Sequence, residues 1–151
     1  MLLIRHAHAG SRRDSHVADQ ARRLSTKGYK QARNLIAALE GYSPQRILSS
    51  PATRCLETVA PLAESIHVKV ETEEALAEGT GLAALALVRS VASEKIALCT
   101  HGDVIPEILV ALADEDHLDL GPHPRQAKGS VWVLESEGDR FIKAAYLAPP
   151  G

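Results

Sequence analysis

Aromatic side chains are nearly missing from this chain, at 3% of its residues: one tryptophan, one phenylalanine and three tyrosines. A core must therefore be built from Leu, Ile, Val and Ala. Cysteine is scarce too. Cys55 and Cys99 are too few for a disulfide framework, and each lies inside an apolar run, which fits buried thiols in a reducing compartment. No apolar run approaches the roughly 20 residues of a membrane span. The opening MLLIRHAHAG carries its charge after the apolar run, the reverse of a signal peptide. Charge of one sign is also lacking. With 17 Lys and Arg against 19 Asp and Glu, the net −2 recommends neither a nucleic-acid polymer nor a membrane surface as partner. A cytoplasmic protein with one domain over residues 1–151 is expected, although a chain that begins on a strand also suits a domain cut from something longer.

What is present alternates between strand and helix. MLLIR reads as a short buried strand, and residues 6–23 as a polar loop. STKGYKQARNLIAALEG reads as a helix with Ser25 as N-cap, Tyr29, Ala32, Leu35, Ile36 and Leu39 on one face, and Gly41 past its end. RILSS is a second strand stopped by Pro51. ATRCLETVAPLAESI is helical in period, with a kink or break expected at Pro61, and HVKVE alternates like a third strand. After the acidic loop TEEALAEGTG come the apolar helix LAALALVRSVAS and the strand KIALCT. Asp103 fits the N-cap of the next helix, with Pro106 in its first turn and its end in EILVALAD. A His- and Pro-bearing loop covers residues 115–128. GSVWVLE and RFIKAAYL then form an antiparallel hairpin joined by Ser136–Asp139, with Trp132 packing at the sheet edge. The expected fold is α/β: a three-layer α/β/α sandwich with a mostly parallel central sheet and a C-terminal antiparallel hairpin.

Such sheets bind ligands at the carboxyl ends of their strands. Three of those ends deliver Arg or His. The first strand ends in Arg5 and His6. The second ends in Ser49-Ser50-Pro51, with Arg54 one helical turn on, and KIALCT runs into His101-Gly102-Asp103. Guanidinium groups bind phosphate bidentately at any working pH, and a histidine near neutrality serves as nucleophile or acid–base. Together they neutralise a phosphoryl group in transfer without a metal or other cofactor, and no carboxylate triad suggests a magnesium site. His8 falls on the same face as His6 if extension continues, at the mouth of the site. Arg12, Arg13, Arg22 and Arg23, partly balanced by Asp14 and Asp19, form a basic loop that suits a polyphosphate or nucleotide, as does Lys128.

LIRHAHAG, LSSPATRCLET and LCTHGD, in that order, resemble the histidine phosphatase (phosphoglycerate mutase-like) superfamily, and DQARRLSTKGYKQA resembles the start of its first helix. The short uncapped length is similar to SixA-type phosphohistidine phosphatases. CTHGDVIPEIL and KGSVWVL look closer still to the domain that follows a Nudix domain in some actinobacterial MutT-like proteins. The resemblance implies that His6 attacks phosphorus to form a phosphohistidine, which water then hydrolyses. Arg5, Arg54 and His101 would hold the phosphoryl oxygens, with Ser50 in the same substrate-binding set. Of Glu73, Glu74 and Glu78, Glu78 is the expected proton donor, with Asp103 as rival. The sequence departs from the family at Ala7, usually glycine, which matters if the position requires a positive φ. The implied partner is a phosphohistidine protein or a phosphorylated small molecule such as a nucleotide or ester, with a Nudix-type domain if the chain is part of a longer one. The alternatives are a phosphate-binding module without turnover and, from His6-Ala7-His8, a metal-dependent hydrolase, whose barrel 151 residues cannot build.

Overall fold

A computed structural model describes residues 1–11 and 18–151. Its strands are β1 (Leu2–Arg5), β2 (Arg46–Ser49), β3 (Val70–Thr72), β4 (Ile96–Thr100), β5 (Val131–Glu137) and β6 (Arg140–Leu147). Its helices are α1 (Thr26–Ala38), α2 (Thr53–Ile66), α3 (Gly81–Ser90) and α4 (Val104–Asp116). The strands form one sheet in the order β3-β2-β4-β1-β5-β6. β1, β2, β3 and β4 pair in parallel, while β5 runs antiparallel to both β1 and β6. Alternation along each strand divides the core. Leu3, Leu48 and Leu98 pack with Val88, Ile105 and Ile108 of α3 and α4. Leu2, Ile4, Ile47 and Cys99 pack with Leu35, Val59 and Leu62 of α1 and α2. The three-layer α/β/α sandwich is the expected architecture.

Several local readings are corrected. α2 passes through Pro61 unbroken, because Cys55, Val59, Leu62 and Ala63 along one face are buried and hold it. Burying such side chains contributes about 1.5–3 kcal/mol each against about 3 kcal/mol for the proline. His67 closes α2 in the left-handed region (φ 59°), so the third strand shrinks to Val70–Thr72. Gly41 is not the left-handed residue after α1; Ser43 is, at φ 45°. Ile36 turns outward at 37% exposure. α3 stops at Ser90, and a short 3-10 turn, Glu74–Leu76, interrupts the acidic loop. Trp132 is buried inside the sheet, because β6 and not β5 is the edge; its Nε1 donates to the Arg125 carbonyl at 2.7 Å. The hairpin pairs as far as Glu137 and Arg140, leaving a two-residue turn that starts with Gly138 at φ 62°. Cys55 and Cys99 are free and buried. Among the described residues no helix is long and apolar enough to cross a membrane.

α4 runs two residues further than its pattern suggests, to Asp116, because that carboxylate has partners. Arg89 of α3 donates to it at 2.6 and 2.9 Å, and the Phe141 backbone N–H of β6 donates at 2.8 Å. Arg89 holds the Asp116 pKa below the ordinary value, with the Phe141 amide acting in the same direction. The folded carboxylate thus keeps its charge to lower pH than the unfolded one. Its stabilisation is complete above the unfolded value of about 3.9 and is lost as pH falls through the folded one. Asp116→Asn is expected to lower the urea unfolding free energy at pH 7 by about 1–3 kcal/mol, with a gap that closes as the solution is acidified below about pH 4. Equal stability at pH 7, or a gap that widens in acid, would contradict this.

Candidate active site

Sheet register brings the three chemistry-bearing strand ends together. Arg5 pairs with Thr100 and Ser49 with Cys99, so His6, Ser50 and His101 leave the sheet side by side. The His6 amide still donates to the Thr100 carbonyl at 3.1 Å, and the Ser50 amide to that of Cys99 at 3.0 Å. Beside them lies a cavity of about 580 Å³ whose lining includes Arg5, His6, Arg22, Glu78, Asp103 and Lys128. A larger one, about 780 Å³, lies between α1 and α2 near Ile36, Ser43 and Ser65, and its lining carries no histidine or cysteine.

His6 is buried, and its Nδ1 stands 2.9 Å from the Ala7 carbonyl. A carbonyl only accepts, so Nδ1 carries the proton and Nε2 keeps its lone pair. Burial is the main cause that pushes the imidazole pKa down to about 3; the charges of Arg54, His101 and Arg5 act with it, and the Ala7 hydrogen bond opposes it. The result is a neutral imidazole, 5.4 Å centroid to centroid from the His101 ring. The Nε2 of His101 lies 2.8 Å from Ser50 Oγ, and its Nδ1 lies 3.3 Å from Arg54 Nη2 and 3.4 Å from Glu78 Oε1. Its Nδ1 therefore faces both a guanidinium donor and a carboxylate acceptor.

Arg54, on the first turn of α2, is 1% exposed. It donates to the Asp19 carbonyl at 2.9 Å and pairs with the carboxylates of Asp19, at 3.3 Å, and Glu78. Arg5 donates through Nη1 to the Gln126 carbonyl at 2.8 Å and lies flat against Gly102, where a Cβ would come within 2.6 Å of Cζ. The Nε–H groups of Arg5 and Arg54 are both buried and unbonded among the described residues. A buried unpaired donor costs about 1–3 kcal/mol, a cost that an anion at these guanidiniums would remove. Among the described residues no three His, Cys, Asp or Glu side chains are grouped to hold a metal ion.

The residues of DQARRLSTKGYKQA support this arrangement. Asp19 holds Arg54 and Arg22, and Leu24 is buried. Gly28 lies so close to the His8 carbonyl that a Cβ would fall 1.9 Å from it, and Gln31 accepts from the His8 amide at 3.0 Å.

The model of the histidine phosphatase superfamily (branch 1) matches residues 1–84, more than half of the chain. The chain belongs to the histidine phosphatase superfamily. It is 29% identical to an 8-oxo-(d)GTP phosphatase of Mycolicibacterium smegmatis, in a match covering 99% of this chain and 48% of that one. The chain thus spans about half the length of that curated relative. Its fold is similar to a structure named for the phosphohistidine phosphatase SixA from Agrobacterium tumefaciens (TM-score 0.78, 23% identity, 98% and 96% of the two chains). It is also similar to one so named from Nakamurella multipartitia (TM-score 0.76, 24% identity, 99% and 95%).

In this histidine phosphatase superfamily member, Arg5, His6, Arg54, Glu78 and His101 come together. Ser50 lies behind His101 and touches its ring. His8 is not brought into the cavity lining: β1 ends at Arg5, and His8 Nδ1 turns to Ser25 Oγ at 2.7 Å. Asp103 occupies the N-cap position but makes no capping bond; its carboxylate instead accepts from the Gly79 amide at 2.8 Å, next to Glu78. Of the basic loop, Arg22 reaches the cavity and Arg23 pairs outside it with Glu57 at 2.9 Å, while Arg12, Arg13 and Asp14 lie outside the described residues. Ala7 is unstrained, since its φ is not positive and its buried methyl packs with Ala9, Leu24 and Ala32. Sequence reasoning missed the role of Gly102, whose signal was the His-Gly-Asp triplet itself. It also missed Thr58, whose hydroxyl accepts from the Ala7 amide at 2.9 Å and donates to the Arg54 carbonyl at 2.6 Å.

The nearest atoms that the methyl of Gly102→Ala would meet belong to the movable end of Arg5, so the fold should tolerate it while the guanidinium is displaced. Binding of inorganic phosphate, measured calorimetrically, should weaken by about tenfold or more, with little change in thermal midpoint. Unchanged phosphate affinity would show that Arg5 does not need that flat contact.

Proposed function

We propose that this protein is a phosphatase that transfers a phosphoryl group from a phosphorylated small molecule to Nε2 of His6 and hydrolyses the resulting phosphohistidine, without a metal ion. The observation that carries this reading is the buried His6 ring, proton fixed on Nδ1 by the Ala7 carbonyl, beside Arg5, Arg54 and His101. A neutral imidazole with a free lone pair is the reactive form, and the lowered pKa keeps it so at any physiological pH. The guanidiniums of Arg5 and Arg54 and the His101 ring supply the positive charge that in-line transfer requires on the equatorial oxygens. Phosphoryl oxygens would take over the contacts to Arg54 and His101 that the Glu78 carboxylate now makes. Displaced towards the leaving group, Glu78 is then placed to protonate it. Asp103, holding the adjacent Gly79, positions that loop. Superfamily membership and the name of the mycobacterial relative support a phosphatase and, among substrates, a nucleotide.

Phosphate release from a panel of nucleotides, phosphate esters and a phosphohistidine protein, with EDTA present, tests this directly. Release should persist in EDTA and fall by more than about a thousandfold in His6→Ala. Glu78→Gln should cost about 10²–10⁴-fold on alkoxide leaving groups and far less on leaving groups that need no proton. Release that vanishes with EDTA, or survives His6→Ala, would contradict the mechanism. Binding of phosphate without turnover of any substrate would mark a binding module instead.

A further inference from the structure

Among the described residues that line the cavity, Lys128 is the cation left over once Arg5 has been given to the phosphoryl group at His6 and Arg22 has been paired with Asp19. Lys128 lies half-buried in the loop between α4 and β5 and lines the same cavity as Arg5 and Arg22. Among the described residues it makes no hydrogen bond and no ion pair, whereas each neighbouring acid is engaged. Asp19 is held by Arg22 and Arg54, Glu78 by Arg54 and His101, and Asp103 by the Gly79 amide. Burial lowers the Lys128 pKa, and the positive charges of Arg5, Arg22 and Arg54 lower it further. A partly buried ammonium facing three guanidiniums is an unfavourable arrangement for the protein alone, and an anionic group set against it, beyond the phosphoryl group held at His6, relieves it. The cavity, at about 580 Å³, has room for such a ligand.

We propose that Lys128 forms a second phosphoryl subsite, and that the substrate is a phosphoanhydride, a nucleoside polyphosphate or inorganic diphosphate, whose terminal group goes to His6 while the next rests against the Lys128 ammonium. This assignment rests on the phosphatase reading above and names its substrate class. In the transfer, the Nε2 lone pair of His6 forms the N–P bond as the bridging P–O bond breaks, and the electron pair departs with the inner phosphate. That group leaves as an anion, so the Lys128 charge does for it what a proton does for an alkoxide. Water then forms a P–O bond as the N–P bond breaks. The pair returns to Nε2, the water's proton passes to solvent, and orthophosphate leaves. Arg22, anchored on the Ala9 carbonyl at 2.7 Å, adds positive charge on the same side of the cavity.

The test compares kcat/KM for ADP and inorganic diphosphate with that for p-nitrophenyl phosphate, in the wild type, Lys128→Ala and Lys128→Arg. The anhydride-to-monoester ratio should fall by about tenfold or more in Lys128→Ala and recover in part in Lys128→Arg. A fall for both anhydrides assigns the subsite to diphosphate as such, and a fall for ADP alone assigns it to nucleotides. A ratio that Lys128→Ala leaves unchanged, or turnover of a phosphohistidine protein only, would overturn the proposal. If the wild type hydrolyses nothing, the phosphatase reading has failed, and calorimetric binding decides the subsite separately. Diphosphate held about tenfold more tightly than orthophosphate, with the preference lost in Lys128→Ala, keeps it; equal affinities overturn it.

Discussion

The constraint on which the rest of this structure turns is a fully buried arginine. Arg54 is 1% exposed, the largest side chain so thoroughly enclosed among the described residues, and its guanidinium cannot shed its charge. A charge in that position is tolerated only when paired and hydrogen-bonded. Asp19 and Glu78 supply the pairing from segments distant in the chain, the Asp19 carbonyl adds a hydrogen bond, and the His101 ring completes the enclosure. The position of Arg54 follows from α2 starting shortly after β2. The first helical turn hangs over the strand ends, and Thr58, one turn on, ties the Arg54 carbonyl to the Ala7 amide beside His6. The proposed nucleophile, His6, and the proposed anion-binding cation, Arg54, are therefore tied to one another through a threonine hydroxyl.

Around this buried arginine, the remaining features of the cluster serve charge balance. Glu78 sits on Arg54 and next to His101, so a carboxylate neutralises the cluster while the loop carrying it is held by Asp103. Burial keeps His6 neutral where a protonated ring would add a further positive charge against Arg5 and Arg54. Among the described residues, Asp19 and Glu78 pair with Arg22 and Arg54, while Arg5 and Lys128 on the same cavity have no carboxylate of their own.

The sheet and the strand-end residues were legible because both follow from local pattern. Short apolar runs alternating with amphipathic segments specify a parallel sheet with helices on both faces, and such a sheet presents whatever ends its strands along one edge. Arg5, His6, Ser50 and His101 stand at those ends, so their meeting was foreseeable. What was not legible depends on partners far apart in the chain. Asp103 looked like a cap until the Gly79 amide came within reach, and His8 looked like a mouth residue because nothing in MLLIRHAHAG shows that Ser25 will claim its ring. The Pro61 break and the Gly41 stop failed for a related reason. Local propensity was outweighed by tertiary packing along α2, and the turn after α1 used Ser43 instead.

The central claim is that His6 carries the phosphoryl group between substrate and water. The most direct measurement is rapid quenching of the enzyme with a turned-over substrate, followed by mass spectrometry of its peptides under alkaline conditions that preserve phosphohistidine. The account predicts a transient phosphoryl adduct on His6 that forms and decays at rates compatible with turnover. Turnover with no adduct at all, or with the adduct on His101 or His8 instead, would contradict it.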